Sequence, residues 1–265
     1  NAANKEGIEV AELAERNIES YLVELASLNV LPATKYPRAT QEIPDIIKII
    51  DTLVARGDAY INQGDVYFRV KNNLDYGKLS NRNVNELEPG ARLDLDESKE
   101  DPEDFALWKA TKPGEPSWES PWGKGRPGWH IECTSMAINY LGESIDIHGG
   151  GVDLLFPHHE NEIAQAESFT RVKPFARVWM HNGTLQYGSD KMSKSVGNIF
   201  SIEQALQIYS PDSLRMFFLT SHYRSPLVFD EHSIKSQDKA FARLRSAVEV
   251  ISGNTDPLNV DNYKQ

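Results

Sequence analysis

The sequence is poor in cysteine and in long apolar runs. Its 265 residues include one cysteine, Cys133, which excludes an internal disulfide framework and leaves burial, reactivity or metal ligation as roles for the thiol. No apolar run reaches the roughly 18 residues of a membrane span. The N-terminus also lacks the basic-then-apolar pattern of a signal peptide. We therefore expect a cytoplasmic protein with no membrane partner.

Basic residues are outnumbered by acidic ones, and the formal net charge is -11. This excess argues against a generally basic nucleic-acid-binding surface, although a local basic patch can still hold RNA. The 40% hydrophobic content is sufficient for one large core or two small ones. The composition thus predicts a folded globular protein and leaves contact with RNA open.

The spacing of apolar residues predicts helices early in the chain and an α/β arrangement later. Apolar positions recur at helical spacing in residues 7–30 and 41–55. A hairpin is predicted around residues 62–65, and the polar stretch 71–124 is interpreted as an irregular insertion. From residue 129 helical and strand-like runs alternate, which is typical of parallel α/β construction. These runs are predicted helices at 131–141 and 157–169, strands at 144–148 and 175–185, and helices at 202–209, 212–220 and 231–251.

Three side chains suited to a metal ion fall close together in this predicted arrangement. His158 and Glu162 are four residues apart on one helix, so they project from the same face. Cys133 lies near the start of the preceding helix, and the strand between the two helices places them on neighbouring parts of a sheet edge. Sulfur, nitrogen and oxygen ligands together suit zinc better than calcium or magnesium. His159 is an alternative to His158, and a plain surface hydrogen bond is the competing interpretation of the helical pair.

Glycines near the end of a predicted strand are candidate ligand contacts. Gly149, Gly150 and Gly151 follow the strand that ends at His148, so backbone can approach a ligand there, although a tight turn is the commoner meaning of such a run. Ligands of open α/β sheets bind at the carboxyl ends of strands. His148 and Asp153 are therefore polar candidates.

Lys191 and Lys194 lie in a predicted loop between Gly188 and Gly197. Two lysines flanked by glycines can close over a polyphosphate and neutralise the charge that develops as pyrophosphate leaves. A solvated basic loop is the alternative interpretation.

Several motifs together resemble a known family. Residues 191–195, Lys-Met-Ser-Lys-Ser, are similar to the signature loop of class I aminoacyl-tRNA synthetases. Three further runs resemble cysteinyl-tRNA synthetase in particular: Gly-Trp-His-Ile-Glu-Cys at 128–133, His-Gly-Gly-Gly-Val-Asp at 148–153, and Phe-Pro-His-His-Glu-Asn-Glu at 156–162. The similarity extends over essentially the whole chain.

The resemblance implies an α/β fold that is part of a class I synthetase Rossmann-like catalytic domain with an inserted connective segment, followed by an α-helical segment. Residues 1–124 would be the helical and connective region. Residues 125–200 would be the second half of the catalytic domain, with the zinc site and the lysine loop. Residues 201–265 would be a helical stem.

The resemblance also implies ATP-dependent activation of L-cysteine and its transfer to tRNA(Cys) by a monomeric enzyme, with Mg²⁺ accompanying ATP. The resemblance implies one zinc ion held by Cys133, His158 and Glu162, and cysteine contacts from Trp129 and Asp153. It implies that Lys191 and Lys194 act catalytically on the ATP phosphates. ATP contacts are implied for Lys194, His148, Gly149 and Gly150. Pocket shape alone separates near-isosteres such as cysteine and serine by only about 1–3 kcal/mol. Zinc binds a thiolate far better than a hydroxyl, so the metal would act as a specificity device.

The chain departs from the family in lacking a His-x-Gly-His motif and the cysteine expected shortly before it as a fourth zinc ligand. Both belong to an N-terminal Rossmann half that we expect to precede Asn1. Two alternatives stay open at this point. One is a cysteine ligase of the mycothiol type, and the other is a non-catalytic zinc-binding or partner-binding module.

Overall fold

The computed structural model describes residues 2–82, 99–187, 190–191 and 200–252. The chain divides into two compact units. The sheet unit is Thr34–Asn182, and the helical unit is Asn1–Ala33 together with Gly183–Gln265. Among the described residues, no helix combines the length and the apolarity that a bilayer crossing requires. The domain boundaries after residues 124 and 200 that the resemblance implies stay predictions.

Helices and strands follow the predicted order closely. In chain order they are α1 (Ala2–Glu6), α2 (Val10–Ser27), α3 (Ile43–Ala55), β1 (Ala59–Asn62), β2 (Asp65–Phe68), β3 (Phe105–Ala110), β4 (Gly125–Pro127), α4 (Trp129–Leu141), β5 (Ile145–Gly151), α5 (Glu160–Thr170), β6 (Ala176–Asn182), β7 (Leu185–Tyr187), β8 (Asp190–Lys191), α6 (Ile202–Leu206), α7 (Pro211–Phe218), β9 (Leu227–Phe229) and α8 (Glu231–Ser252). The helices predicted from apolar spacing and the early hairpin are confirmed.

In the helical unit, helices α6, α7 and α8 pack around a core that contains aromatic side chains. Phe217 and Ile234 are fully buried there and pack with Leu28 and Phe229. Strands β8, β7 and β9 form a small sheet in that order, with β7 parallel to β9. This unit thus has its own core, as a separately compact body requires.

An antiparallel sheet of four strands, in the order β1-β2-β3-β4, forms one part of the sheet unit. Helix α3 covers it, with Ile46, Ile50 and Leu53 fully buried. The interpretation of residues 71–124 as irregular is wrong for β3, which pairs with β2 on one side and β4 on the other. A short apolar run amid polar residues became a central strand because both neighbours supply its hydrogen bonds.

Strands β5 and β6 form the parallel pair that positions the site, and α5 connects them. This confirms the predicted parallel α/β construction. Details of this region differ from the prediction, and the strand predicted at 175–185 ends at Asn182. The three glycines lie within β5, where Gly150 pairs with His181 and Gly151 with Asn182, so they are neither a loop nor a tight turn. Helix α5 begins at Glu160 instead of residue 157, and His158 lies in the π-type turn Leu155–His159 just before it, because Phe156 has extended backbone angles.

Candidate metal centre

Helix α5 is buried over most of its length although it is rich in polar side chains. Buried polar groups are normally satisfied by hydrogen bonds, and most of these are. Glu160 accepts hydrogen bonds from the backbone and hydroxyl of Ser80, Asn161 accepts one from the Tyr76 hydroxyl, Gln165 accepts one from Thr134, and Glu167 accepts one from the Phe175 backbone and pairs with Lys78. Each of these carboxylate and amide oxygens therefore has a protein partner.

Two groups on this helix are exceptions among the described residues, the Gln165 Nε2 and the whole Glu162 carboxylate. The Glu162 side chain is 1% exposed, and within the described residues neither carboxylate oxygen accepts a hydrogen bond of acceptable geometry. His158 Nε2 lies 3.1 Å from Oε1 and His148 Nε2 lies 3.5 Å from Oε2. Burial by itself raises the pKa of Glu162, but these two imidazoles outweigh burial and hold the pKa below its usual range. A buried carboxylate with two imidazole nitrogens beside it and no well-formed hydrogen bond from the described residues is suited to binding a cation.

Cys133 completes one group of candidate metal ligands with these residues. One ligand atom each from Cys133, His158 and Glu162 lies within 4.8 Å of the others, which is the convergence predicted from the sequence. Burial, with the nearby carboxylates of Glu162 and Glu132, raises the pKa of the Cys133 thiol to about 12. A bound cation would reverse this effect, because a coordinating thiol is deprotonated. The sulfur, nitrogen and oxygen donors fit zinc, whereas calcium and magnesium prefer oxygen alone.

Two aromatic neighbours orient His158. Its Nδ1 lies 2.9 Å from Nδ1 of His130, a hydrogen bond that leaves Nε2 directed at Glu162. Burial and the neighbouring His158 lower the pKa of His130 to about 4, so this partner is neutral at pH 7. The Trp129 ring lies 4.5 Å from the His158 ring and is 59% exposed. Trp129 therefore forms an open wall beside the cysteine–histidine group.

A second group of side chains lies on the other side of Glu162. One ligand atom each from His148, His159 and Glu162 also lies within 4.8 Å of the others. The Nδ1 of His159 lies 2.8 Å from Nε2 of His181. The Trp179 ring lies 4.7 Å from that of His148 and 5.1 Å from that of His159. The sequence pattern predicts His159 only as a substitute for His158 and does not single out His130, His181 or Trp179.

Glycines in β5 make room for this arrangement. A Cβ on Gly150 would lie 2.9 Å from Cε1 of His159, and a Cβ on Gly151 would lie 2.5 Å from Oδ1 of Asp153. Real Cβ contacts are essentially never so short. Asp153 is exposed in the 3₁₀ turn Val152–Leu154 that follows the strand. The glycines therefore serve close packing of side chains at the carboxyl end of β5.

The lysine loop is the part of the predicted site that lies mostly outside the described residues. Lys191 pairs through its backbone with Gln186 in the small sheet of the helical unit, and its side chain is outside the described atoms. Lys194 lies outside the described residues altogether. The phosphate-binding roles of both lysines stay predictions.

Comparison with known proteins gives the family. The model of the tRNA synthetases class I (C) catalytic domain matches residues 1–239. The chain belongs to this family. The finding agrees with the resemblance found in residues 128–133, 148–153, 156–162 and 191–195.

Curated relatives are named cysteine–tRNA ligase. The chain is 59% identical to one from Dehalococcoides mccartyi over 92% of this chain and 53% of that protein. It is 54% identical to one from Aquifex aeolicus over 94% of this chain and 50% of that protein. The chain thus spans about half the length of the curated relatives it matches.

A solved structure supports the fold. The structure of Mycobacterium tuberculosis methionyl-tRNA synthetase in complex with methionyl-adenylate matches with a TM-score of 0.66 at 18% identity, over 89% of this chain and 57% of that one. At this level of identity the likeness is one of fold. It confirms an α/β fold of the class I synthetase type.

Proposed function

We propose that the chain is part of an enzyme that activates L-cysteine with ATP and Mg²⁺ and transfers it to tRNA(Cys). The family match and the names of the curated relatives support this proposal. A monomeric state and a cytoplasmic location belong to the same proposal.

A zinc ion held by Cys133, His158 and Glu162 is the centre of the proposal. The observation that supports it most is the buried Glu162 carboxylate, which has no hydrogen bond within the described part of the chain and lies with the other two ligand atoms inside 4.8 Å. A polar group so placed is costly unless something pairs with it. When bound, zinc would select the substrate thiolate over a hydroxyl.

The protein's own side chains would position the metal and the substrate. His130 holds the His158 ring through Nδ1, as outer hydrogen-bond partners of metal-binding histidines generally do. Trp129 would cover the cysteine side chain, and Asp153 would hold the polar end of the substrate. The buried face of α5 would thus recognise the side chain of the substrate, and the end of β5 would recognise its polar end.

ATP would bind at the carboxyl end of the parallel strands. His148, Gly149 and Gly150 would contact it there, since ligands of open α/β sheets bind at that edge. Lys191 and Lys194 would act on the phosphates as pyrophosphate leaves.

Metal content and cobalt spectroscopy test the zinc proposal. The purified chain should retain zinc after dialysis, and the variants Cys133→Ser and His158→Gln should retain much less. His232→Gln is the matched control, because His232 is exposed on α8. With Co²⁺ in place of zinc, L-cysteine should increase the thiolate-to-cobalt charge-transfer absorption, whereas L-serine should not.

The adenylation step has its own assay. L-cysteine, and not L-serine, should support ATP–pyrophosphate exchange by the protein, and the product should be transferred to tRNA(Cys) instead of an amino sugar. Zinc content that is unchanged in both site variants would contradict the ligand assignment. Exchange that serine supports as well as cysteine would contradict the role of the metal.

A further inference from the structure

His148, His159 and Glu162 surround a second position next to the cysteine–histidine group. His148 Nε2 lies 3.5 Å from Oε2 of Glu162, and His159 Nε2 lies 4.0 Å from Oε1. Their side chains are 16%, 2% and 1% exposed, in the order His148, His159, Glu162. At these separations the imidazoles and the carboxylate are too far apart for good hydrogen bonds to one another, yet close enough to bind one ion together.

An unpartnered buried atom points into this position. Oε2 of Glu162 faces His148, yet it accepts no hydrogen bond of acceptable geometry from the described residues. His158 lies nearest Oε1, so an ion held by His158 and Cys133 through that oxygen can leave Oε2 without a partner. A single cation therefore partners both oxygens of Glu162 only if both oxygens bind it.

His159 is held in the orientation that a metal ligand needs. Its Nδ1 lies 2.8 Å from Nε2 of His181, and when Nδ1 donates this bond, Nε2 presents its lone pair toward Glu162. Metal-binding histidines typically have such a bond on the second nitrogen. The absence of a side chain at Gly150 lets the ring lie against β5, and Trp179 lies beside both imidazoles.

We propose that His148, His159 and Glu162 form a second transition-metal site, which shares Glu162 with the cysteine-containing site. Two imidazoles and one carboxylate suit zinc and similar divalent ions, and three protein ligands leave a position open. Glu162 would bind both ions, with His158 and His159 nearest its Oε1 and His148 nearest its Oε2.

This second site has a consequence for the proposed enzyme. His148 cannot bind a metal ion and contact ATP through the same Nε2 atom. The site would therefore fill when the divalent metal is in excess and compete with nucleotide. Its existence does not rest on the proposed function, since its two histidines lie outside the cysteine-containing group.

Cobalt titration of the whole chain distinguishes the two sites. The wild type should bind two equivalents, one with thiolate charge-transfer absorption from Cys133 and one without it. Cys133→Ser should lose the charge-transfer band and keep the second equivalent. His148→Asn and His159→Gln should keep the band and lose the second equivalent, and His232→Gln should bind as the wild type does.

A further variant tests the orientation of His159. His181→Ala removes the outer hydrogen bond and should weaken the second equivalent by about 10- to 100-fold while leaving the charge-transfer band in place. A merely structural effect would alter both equivalents, and circular dichroism of each variant reports its folding.

The outcomes separate the two proposals. A wild type that binds one equivalent, together with a Cys133→Ser variant that binds none, overturns the second site and leaves the first intact. A second equivalent that survives both His148→Asn and His159→Gln also overturns it. An ion without thiolate absorption that persists in Cys133→Ser and disappears with His159→Gln supports it, even if the first site fails its own test.

Discussion

Two neighbouring glycines of β5 offer a matched test of the packing around His159. Gly150 and Gly149 point to opposite faces of the strand. An alanine Cβ at Gly150 would lie 2.9 Å from Cε1 and 3.1 Å from Nε2 of His159, and 3.1 Å from Cδ1 of Leu154. At Gly149 the nearest atom would be the Met180 carbonyl oxygen at 3.4 Å. Neither glycine has a positive φ, so backbone strain does not distinguish the two substitutions.

Gly150→Ala should lower the free energy of unfolding of the sheet unit by about 1–3 kcal/mol, the usual cost of overpacking a filled interior. Gly149→Ala should stay within about 1 kcal/mol of the wild type, since alanine at a compatible position also reduces the freedom of the unfolded chain. Urea unfolding followed by tryptophan fluorescence measures this difference. All five tryptophans lie in the sheet unit, so the signal reports that unit alone.

The same pair of variants also tests the histidine site. Displacement of His159 by the new methyl group should weaken the cobalt equivalent that lacks thiolate absorption, whereas Gly149→Ala should leave both equivalents unchanged. Equal unfolding midpoints for Gly150→Ala and the wild type would refute the packing argument, and so would a Gly149→Ala variant that is as unstable as Gly150→Ala.

Three further predictions concern the sheet unit. Glu160→Gln should lower the free energy of unfolding by about 1–3 kcal/mol, because a neutral amide oxygen accepts weaker hydrogen bonds from the backbone N–H groups of Leu79 and Ser80 than the buried carboxylate does. Leu53→Ala, in the fully buried face of α3, should cost about 2–5 kcal/mol in urea unfolding. Burial raises the pKa of Asp104, so the folded state binds its proton more tightly than the unfolded state does. Acidification from neutral pH toward the ordinary carboxyl range should therefore stabilise the wild type relative to Asp104→Asn, as urea unfolding at a series of pH values would show.

Each of these predictions has a control or a contradicting result. Glu143→Gln alters an exposed glutamate in the loop after α4 and should leave the unfolding midpoint unchanged. Leu141→Ala, at the exposed end of α4 in the same unit, is the control for Leu53→Ala and should have little effect. A stability difference between the wild type and Asp104→Asn that is independent of pH would contradict the raised pKa.

The spacing of hydrophobic residues was sufficient to predict an element in which the buried residues recur at a regular period. Ile46, Ile50 and Leu53 repeat at helical spacing, and α3 buries them as predicted. Strand β3 was missed because its apolar run is short and lies in a polar stretch, and the pairing with β2 and β4 that makes it a strand is not local. The glycines of β5 were predicted to follow the strand instead of lying in it for the same reason, since glycine is unfavourable in strands and only the pairing with β6 overrides this preference.

The candidate site shows the same division between local and distant information. The spacing of His158 and Glu162 is local, and it predicted their closeness correctly although His158 lies in the turn before α5. His130 and His181 could not be found in this way, because each meets its partner across elements that are separate in sequence. No periodic pattern marks a residue whose role is to hold another side chain.

The buried polar residues of α5 restrict which segments of the chain can pack around this helix. A helix buried on all sides is expected to be apolar all round, yet this one has carboxylates and amides at buried positions. Glu160, Asn161 and Glu167 are matched by partners from segments that follow β2 or precede β6. Such a helix packs stably only when these partners are in place, so its polar sequence also specifies which segments surround it. Glu162 lacks a partner of this kind among the described residues, and a metal ion bound by histidine and cysteine would supply one.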